Sequence, residues 1–298
     1  MKQNKNLGSL LVLSASMLWG CTGIFVRIFN PLGLFSMEIL EARSLFGLLF
    51  ITIYLLLFQR DKFRIRPRDI WCFIGVGVCN MTAGAYCYFT GITMASISVM
   101  SVLEYTGPIF AMLFGVILFH ERVTARKLIA LALAFAGCCF AAGLGTDDYL
   151  SPQGLLLGLG AGLAYSMYSV FGRYAINRGY DSWTILFWGF LCCAIGAAPL
   201  ADWSAIGSAI QTDLSVLIPM ALLGFLVGFL AYLLYSKGLQ LIESGSAAVL
   251  SSAELITATL AGTILYHEPL TLSTIIGIVL VLGGIVVLSL STKEGKKH

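Results

Sequence analysis

The chain has 298 residues, 58% of them apolar and 11% charged, with a mean hydropathy of +0.91. A water-soluble domain is about 45–50% apolar and about 25% charged, so composition excludes an ordinary globule. It also excludes disorder, which needs low hydrophobicity and high net charge. Eighteen Lys and Arg against 15 Asp and Glu leave a net charge of +3, spread with no dense basic face for nucleic acid. The composition is that of an all-α integral membrane protein.

A spanning helix needs roughly 20 mostly apolar residues, and ten such segments follow one another along the chain. They run approximately over 7–29, 35–58, 70–90, 94–119, 125–144, 153–176, 183–200, 215–236, 245–266 and 272–291. The first follows Lys2 and Lys5 like a signal peptide, but it is too long for an h-region and has no A-x-A-like cleavage site, so it reads as a first span. The longest connections are the basic stretch Gln59–Asp69 and the acidic stretch Ala201–Leu214. The eight cysteines all lie in apolar runs without a C-x-x-C, which points to packing rather than disulfides or metal.

Charge sets the expected orientation. Lys2 and Lys5, Arg60 to Arg68, Arg122, Arg126 and Lys127, Arg173 and Arg178, Lys237, and Lys293, Lys296 and Lys297 fall on one side. Only Arg27 and Arg43 sit near the other ends, whose loops carry Asp147, Asp148, Asp202 and Asp213. The positive-inside rule puts both termini in the cytoplasm, in the cell membrane.

Residues 88–124 align without gaps on 235–271, with identities that include Tyr88/Tyr235, Gly91/Gly238, Gly115/Gly262, His120/His267, Glu121/Glu268 and Thr124/Thr271. A weaker echo pairs Phe25 and Arg27 with Phe171 and Arg173. The halves 1–146 and 147–298 then hold five spans each, and an odd number inverts the second half. Inverted repeats are the architecture of secondary transporters, which rock around a midplane site.

Charges inside a span are expensive and usually functional. Glu104 and Glu254 each lie about ten residues into a helix, roughly 15 Å deep, one from each half. Two readings stay open for them: a carboxyl hydrogen-bonded between helices, or the lining of a cavity that binds a small solute. Trp19, Asn80, Tyr165, Ser166 and Trp188 are expected near the same depth, with Tyr86 and Tyr105 about a turn away. Aromatic rings with a polar handle suit an amphipathic ligand, and each can equally be packing. Arg43 either faces the cavity and meets an anionic group or closes an outer gate through a carboxylate such as Glu38; a gating or structural role is expected.

The Trp19-Gly20 pair, Arg43, the run Tyr105-Thr106-Gly107-Pro108 and the paired His-Glu-x-x-Thr ends at 120–124 and 267–271 resemble the EamA-type transporters of the drug/metabolite transporter superfamily. The resemblance covers nearly the whole chain. It implies ten helices in two five-helix repeats and the movement, often export, of small metabolites, amino acids among them. Where members often carry Glu-Pro, this chain has Glu254-Leu255, and Glu104 is particular to it. No cofactor is implied, and the expected partners are a small-molecule substrate, the bilayer and protons as coupling ion, in a monomer or homodimer.

Enzymatic readings find little support. His120-Glu121-Arg122-Val123-Thr124 has Thr where a zinc-protease helix needs its second His, and no P-loop is present. A channel or facilitative pore for a small solute is the remaining alternative, and the carrier itself can be proton-linked or facilitative; no filter motif or ring of charges marks a channel.

Overall fold

The computed structural model describes residues 5–143, 150–267 and 269–294. Among them all regular structure is helical, apart from one isolated bridge between Ala95 and Leu150. Lys2, Asp147, Asp148, Glu268, Lys296 and Lys297 lie outside the described residues. Eight helices are long and apolar enough to cross a membrane. They are α1 (Lys5–Leu32), α2 (Ser36–Phe58), α3 (Pro67–Gly91), α4 (Val99–Phe119), α5 (Ala125–Ala142), α6 (Pro152–Asn177), α8 (Leu214–Leu239) and α9 (Ser244–Tyr266). Two more apolar helices are shorter: α7 (Ser182–Ala197) and α10, whose apolar part is Leu272–Leu288.

Local chemistry sets the ends. Thr124, Ser151 and Asp181 cap α5, α6 and α7 by accepting from the backbone N–H of Lys127, Gly154 and Thr184, which satisfies donors that a first helical turn leaves orphaned. His120 and His267 close α4 and α9 in the left-handed region, at φ 53° and 54°, a conformation His tolerates better than most side chains. The acidic stretch 201–214 is not a bare connection. It carries a short helix, Trp203–Thr212, started by the Asp202 carboxylate, which accepts from the N–H of Ser204 and Ala205.

Five apolar runs that read as continuous are interrupted, the first being α1, which turns at Cys21 between Lys5–Gly20 and Thr22–Phe29. In α3 and α8 the backbone widens to π-helix over Gly75–Thr82 and Gly224–Leu230, a form that often marks functional sites. α4 consists of Ile97–Glu104 and Gly107–Phe119, and α9 of Ser244–Ser251 and Ala253–Tyr266. The same order of elements thus recurs 147 residues on, down to the closing histidine.

Packing repeats as well. α2 lies against α7, with Ser44 Oγ 3.1 Å from Cys193 Sγ, and a Cβ placed on Gly47 would stand 3.2 Å from Phe190. Residue numbers rise on one helix as they fall on the other, so the pair is antiparallel. α5 and α10 run antiparallel too, their backbones touching at Gly137 and Gly277 and at Ala130 and Gly284. Small residues of this kind let helices approach where lipid supplies no hydrophobic drive between them.

The connections meet in two sets. On one side the α2–α3 segment joins the α6–α7 turn: Lys62 pairs with Asp181 at 2.8 Å, and Asp69 accepts from Arg178 at 2.9 Å and from Tyr180 at 2.8 Å. On the other, Glu38 accepts from the Asp202 N–H at 2.9 Å, Ser151 donates its N–H to the Met94 carbonyl, and Arg27 lies 4.2 Å from the Tyr266 ring centroid.

At Gly277 an added Cβ would stand 2.6 Å from the Gly137 carbonyl oxygen, whereas at Gly283 the nearest neighbour is Leu133 at 3.9 Å. Overpacking costs about 1–3 kcal/mol. Gly277→Ala is therefore expected to lower the melting temperature of the purified protein, and Gly283→Ala to leave it unchanged or raise it; equal effects would contradict the seam.

Candidate functional site

The two chain breaks meet near the middle of the bundle. In α4, helical geometry stops after Glu104: the Tyr105 ψ is 0°, and the Thr106 hydroxyl and N–H both return to the Leu103 carbonyl, at 2.6 and 3.1 Å. In α9 the break falls at Ser252, and Glu254 stands in the first turn of the second piece. Glu104 thus ends one helix piece and Glu254 begins another. Their carboxyls meet opposite ends of helix dipoles, Glu254 the positive end and Glu104 the negative.

Packing against α1 and α6 holds these breaks in place. Gly20 of α1 lies flush on α9, where an added Cβ would stand 3.0 Å from the Ala258 nitrogen. Gly162 of α6 lies likewise on α4, 2.7 Å from the Leu103 carbonyl oxygen. Backbone therefore meets backbone at both breaks.

Side chains of α4, α6 and α9 converge there. Glu254 lies near Tyr105 and Glu104. Tyr165 on α6 reaches Ser251 and lies in the field of both carboxyls. Tyr88 shares a 3.0 Å hydrogen bond with Ser101 and faces Glu104. Tyr235, paired with Ser169 at 2.7 Å, also reaches Ser251. Glu104, Tyr105, Tyr165 and Glu254 each keep some accessible surface despite this depth. Trp19 lies beside the cluster, its ring centroid 4.9 Å from Tyr232 and 5.2 Å from Tyr235, with its indole N–H buried and unpartnered among the described residues.

Other expected residues are elsewhere or engaged. Asn80, in the π-helical part of α3, donates to the carbonyls of Ala164 and Tyr165 at 2.9 and 3.3 Å and so fixes the backbone that carries Tyr165. Ser166 is fully buried and donates back to Leu163. Trp188 is not beside the carboxyls: its indole donates at 3.1 Å to the carbonyl of Phe63, in the basic α2–α3 segment. Counting residues misplaced it because that segment folds back over the end of α7. Tyr86 is 47% exposed, and among the described residues nothing ties it to the cluster. Arg43 packs its stem on Gly228 and sets its guanidinium 5.8 Å from the Tyr232 ring.

A second constellation was not anticipated. The left-handed His120 turns the chain so that Glu121 folds back and accepts from the N–H of Ser244 and Gly245, at 2.8 and 3.3 Å, capping α9 from α4. Lys127 pairs with Glu243 and donates to the Arg122 carbonyl. Arg173 donates to the Ile242 carbonyl and toward the Ser244 hydroxyl. These groups line a cavity of about 620 Å³ that also includes Lys5, Ser9 and Ser246. The repeated His-Glu-x-x-Thr was the available signal, since it supplies the turn, the carboxylate and the next cap in five residues.

Removing the acceptor of two buried N–H groups costs about 1–3 kcal/mol. Glu121→Ala is expected to loosen this junction, so that Ser251→Cys, in a chain without its native cysteines, reacts faster with a membrane-impermeant maleimide. Unchanged labelling would mean that Glu121 does not hold the two halves together.

The profile of the EamA-like transporter family matches the chain twice, over residues 6–143 and 152–290. An uncharacterized transporter of Archaeoglobus fulgidus is 27% identical over 87% of this chain and 89% of its own length. The uncharacterized transporter YwfM of Bacillus subtilis is 27% identical over 98% and 96%. An S-adenosylmethionine uptake transporter of Rickettsia felis is 22% identical over 74% and 71%. A solved crystal structure, described only as that of a protein, shares the fold with a TM-score of 0.74 at 18% identity, covering 96% of this chain and 98% of that one. The chain belongs to the EamA-like transporter family.

Proposed function

We propose that this protein is a secondary active carrier of small organic metabolites, amino acids or related amphipathic compounds, that works by alternating access and uses protons as coupling ion. Export is the direction the family resemblance implies. One observation carries the reading: two titratable carboxyls, each at the interruption of a broken helix, lie near one another among tyrosines inside the bundle. Irregular backbone at membrane depth is tolerated only where it is buried in protein or lines a cavity. Such breaks at the midplane are how transporters build substrate and ion sites.

In this proposal the chain crosses the bilayer ten times, with 1–146 and 147–298 as inverted repeats. Support comes from the twofold profile match, the recurrence of elements at a spacing of 147 and the antiparallel pairs α2–α7 and α5–α10. The meeting of loops in two sets agrees with it, since each set contains only connections that ten alternating crossings would put on one side. The basic set is then cytoplasmic, and the Glu121–Lys127–Arg173 junction is the closed cytoplasmic gate.

A carboxyl that binds a proton when the cavity faces one side and substrate when it faces the other links the two affinities reciprocally. In liposomes holding a pH-sensitive dye, the addition of amino acids and aromatic amines is expected to move protons through the native protein. Glu254→Gln, which keeps size and hydrogen bonding but cannot titrate, should abolish that movement in a folded protein. Proton movement with native amplitude and pH dependence would overturn the coupling role.

Topology has its own check. A fluorescent protein fused at the C-terminus is expected to be bright and an alkaline phosphatase inactive, and the opposite pattern would reverse the orientation.

A further inference from the structure

The cavity at the Glu121 junction holds more cationic donors than its own acceptors use. It is about 620 Å³ in volume, and Lys5, Arg122, Lys127 and Arg173 line it together with the carboxylates of Glu121 and Glu243. Four cations against two carboxylates leave a net charge of +2.

The acceptors are spent. Glu121 takes the N–H of Ser244 on Oε1 and that of Gly245 on Oε2, and Glu243 is paired with Lys127. Donors remain. An arginine carries five N–H groups, and Arg173 uses one toward the Ser244 hydroxyl and one on the Ile242 carbonyl. Its other three meet no acceptor among the described residues. Lys127 uses two of its three, on Glu243 and on the Arg122 carbonyl. Lys5 and Arg122 are exposed and form no ion pair among the described residues. The four cations stand on α1, the α4–α5 turn, α5 and α6, so they reach the cavity from different sides. Like charges around one space repel each other, and an anion between them removes that cost.

We infer that this cavity binds a phosphate group carried on a larger molecule. A net charge of +2 matches the dianion of a phosphate monoester. Its tetrahedral oxygens accept from several directions at once, where a planar carboxylate offers only two oxygens. The volume exceeds what one phosphate fills and falls in the range of pockets that hold whole small molecules. Phe119, Leu241 and Leu288 give the remainder of the ligand an apolar wall. Two sources share this chemistry on the face that the proposed topology makes cytoplasmic: a soluble phosphate ester, and a phosphatidate headgroup of the bilayer. The site is separate from Glu104 and Glu254, neither of which lines it, and it does not depend on the carrier reading.

Equilibrium binding to the full-length protein, in an uncharged detergent at constant ionic strength, tests the site. The probes are glycerol 3-phosphate, dihexanoyl phosphatidate and dihexanoyl phosphatidylcholine. At least one of the two monoesters is expected to bind with a Kd of about 1 mM or below, and phosphatidylcholine at least about tenfold more weakly than phosphatidate. Glycerol 3-phosphate binding as tightly as phosphatidate would identify a soluble ester as sufficient, and tighter phosphatidate would identify the lipid headgroup. Arg173→Gln should weaken the bound monoester about tenfold, the size of a lost charge-assisted hydrogen bond. Arg68→Gln should leave it unchanged, since Arg68 is exposed on the same basic side but outside the cavity. If Arg173→Gln does not melt cooperatively, Lys5→Gln combined with Arg122→Gln decides, by the same loss.

The inference is overturned if neither monoester binds at about 10 mM, or if phosphatidylcholine binds as tightly as phosphatidate. It is overturned equally if the cavity variants bind as the native chain does. A loss in Arg68→Gln as large as that in the cavity variants would also refute it, because the anion would then be held by a diffuse basic surface.

Discussion

Inside a bilayer no water is available to a broken backbone, and each unsatisfied carbonyl or N–H costs several kcal/mol. The breaks at Tyr105 and Ser252 are therefore the constraint on which the architecture depends. At the first, the Thr106 hydroxyl occupies the Leu103 carbonyl that the helix abandons. At both, glycine surfaces on α1 and α6 press backbone against backbone and shield the opened turns. Glu121, just beyond the left-handed turn at His120, satisfies the N–H groups at the start of the first piece of α9. Stable breaks then hold Glu104 and Glu254 in rigid positions that an unbroken helix, with its regular 100° steps, could not give them.

The sequence made the helices legible and left their interruptions hidden. Ten apolar stretches announce themselves by length alone, and each coincides with an apolar helix. The breaks fall at polar steps, Glu104-Tyr105-Thr106-Gly107 and Ser251-Ser252, but each is too short to interrupt a span that is read by mean hydropathy over about 20 residues. Pro108 stands at the start of the following piece, where its missing N–H costs nothing. The π-helical turns of α3 and α8 are equally silent, since widening one turn changes hydrogen bonding and not composition.

For the candidate site, position along a helix carries information only where the helix is the whole context. Glu104, Tyr105, Tyr165 and Glu254 converge as their positions suggest. Trp188 shows where counting fails: the Phe63 carbonyl arrives from a connection whose path no periodicity encodes. The junction at Glu121, Lys127 and Arg173 was missed for the opposite reason. Its motif was visible in duplicate, but only the left-handed turn at His120 reveals that the glutamate folds back to cap a helix of the other half.

The elements of 67–119 recur over 214–266, yet the charged residues do not follow that recurrence. The counterpart of Glu104 is Ser251 and that of Glu254 is Gly107, so the carboxyls come from non-equivalent positions. Tyr88 and Tyr235, by contrast, are equivalent, and each bonds a serine: Ser101 for the first, Ser169 for the second. In the proposed cycle the symmetric parts are what exchange, one gate taking the form of the other as the halves rock. The Arg27–Tyr266 contact occupies, at the opposite end, the place that Arg173 and Phe119 hold beside the Glu121 junction. In the same proposal the two carboxyls stay at the pivot and meet each side in turn. In that proposal the recurring elements provide the motion, and the residues that do not recur determine which solute can ride on it.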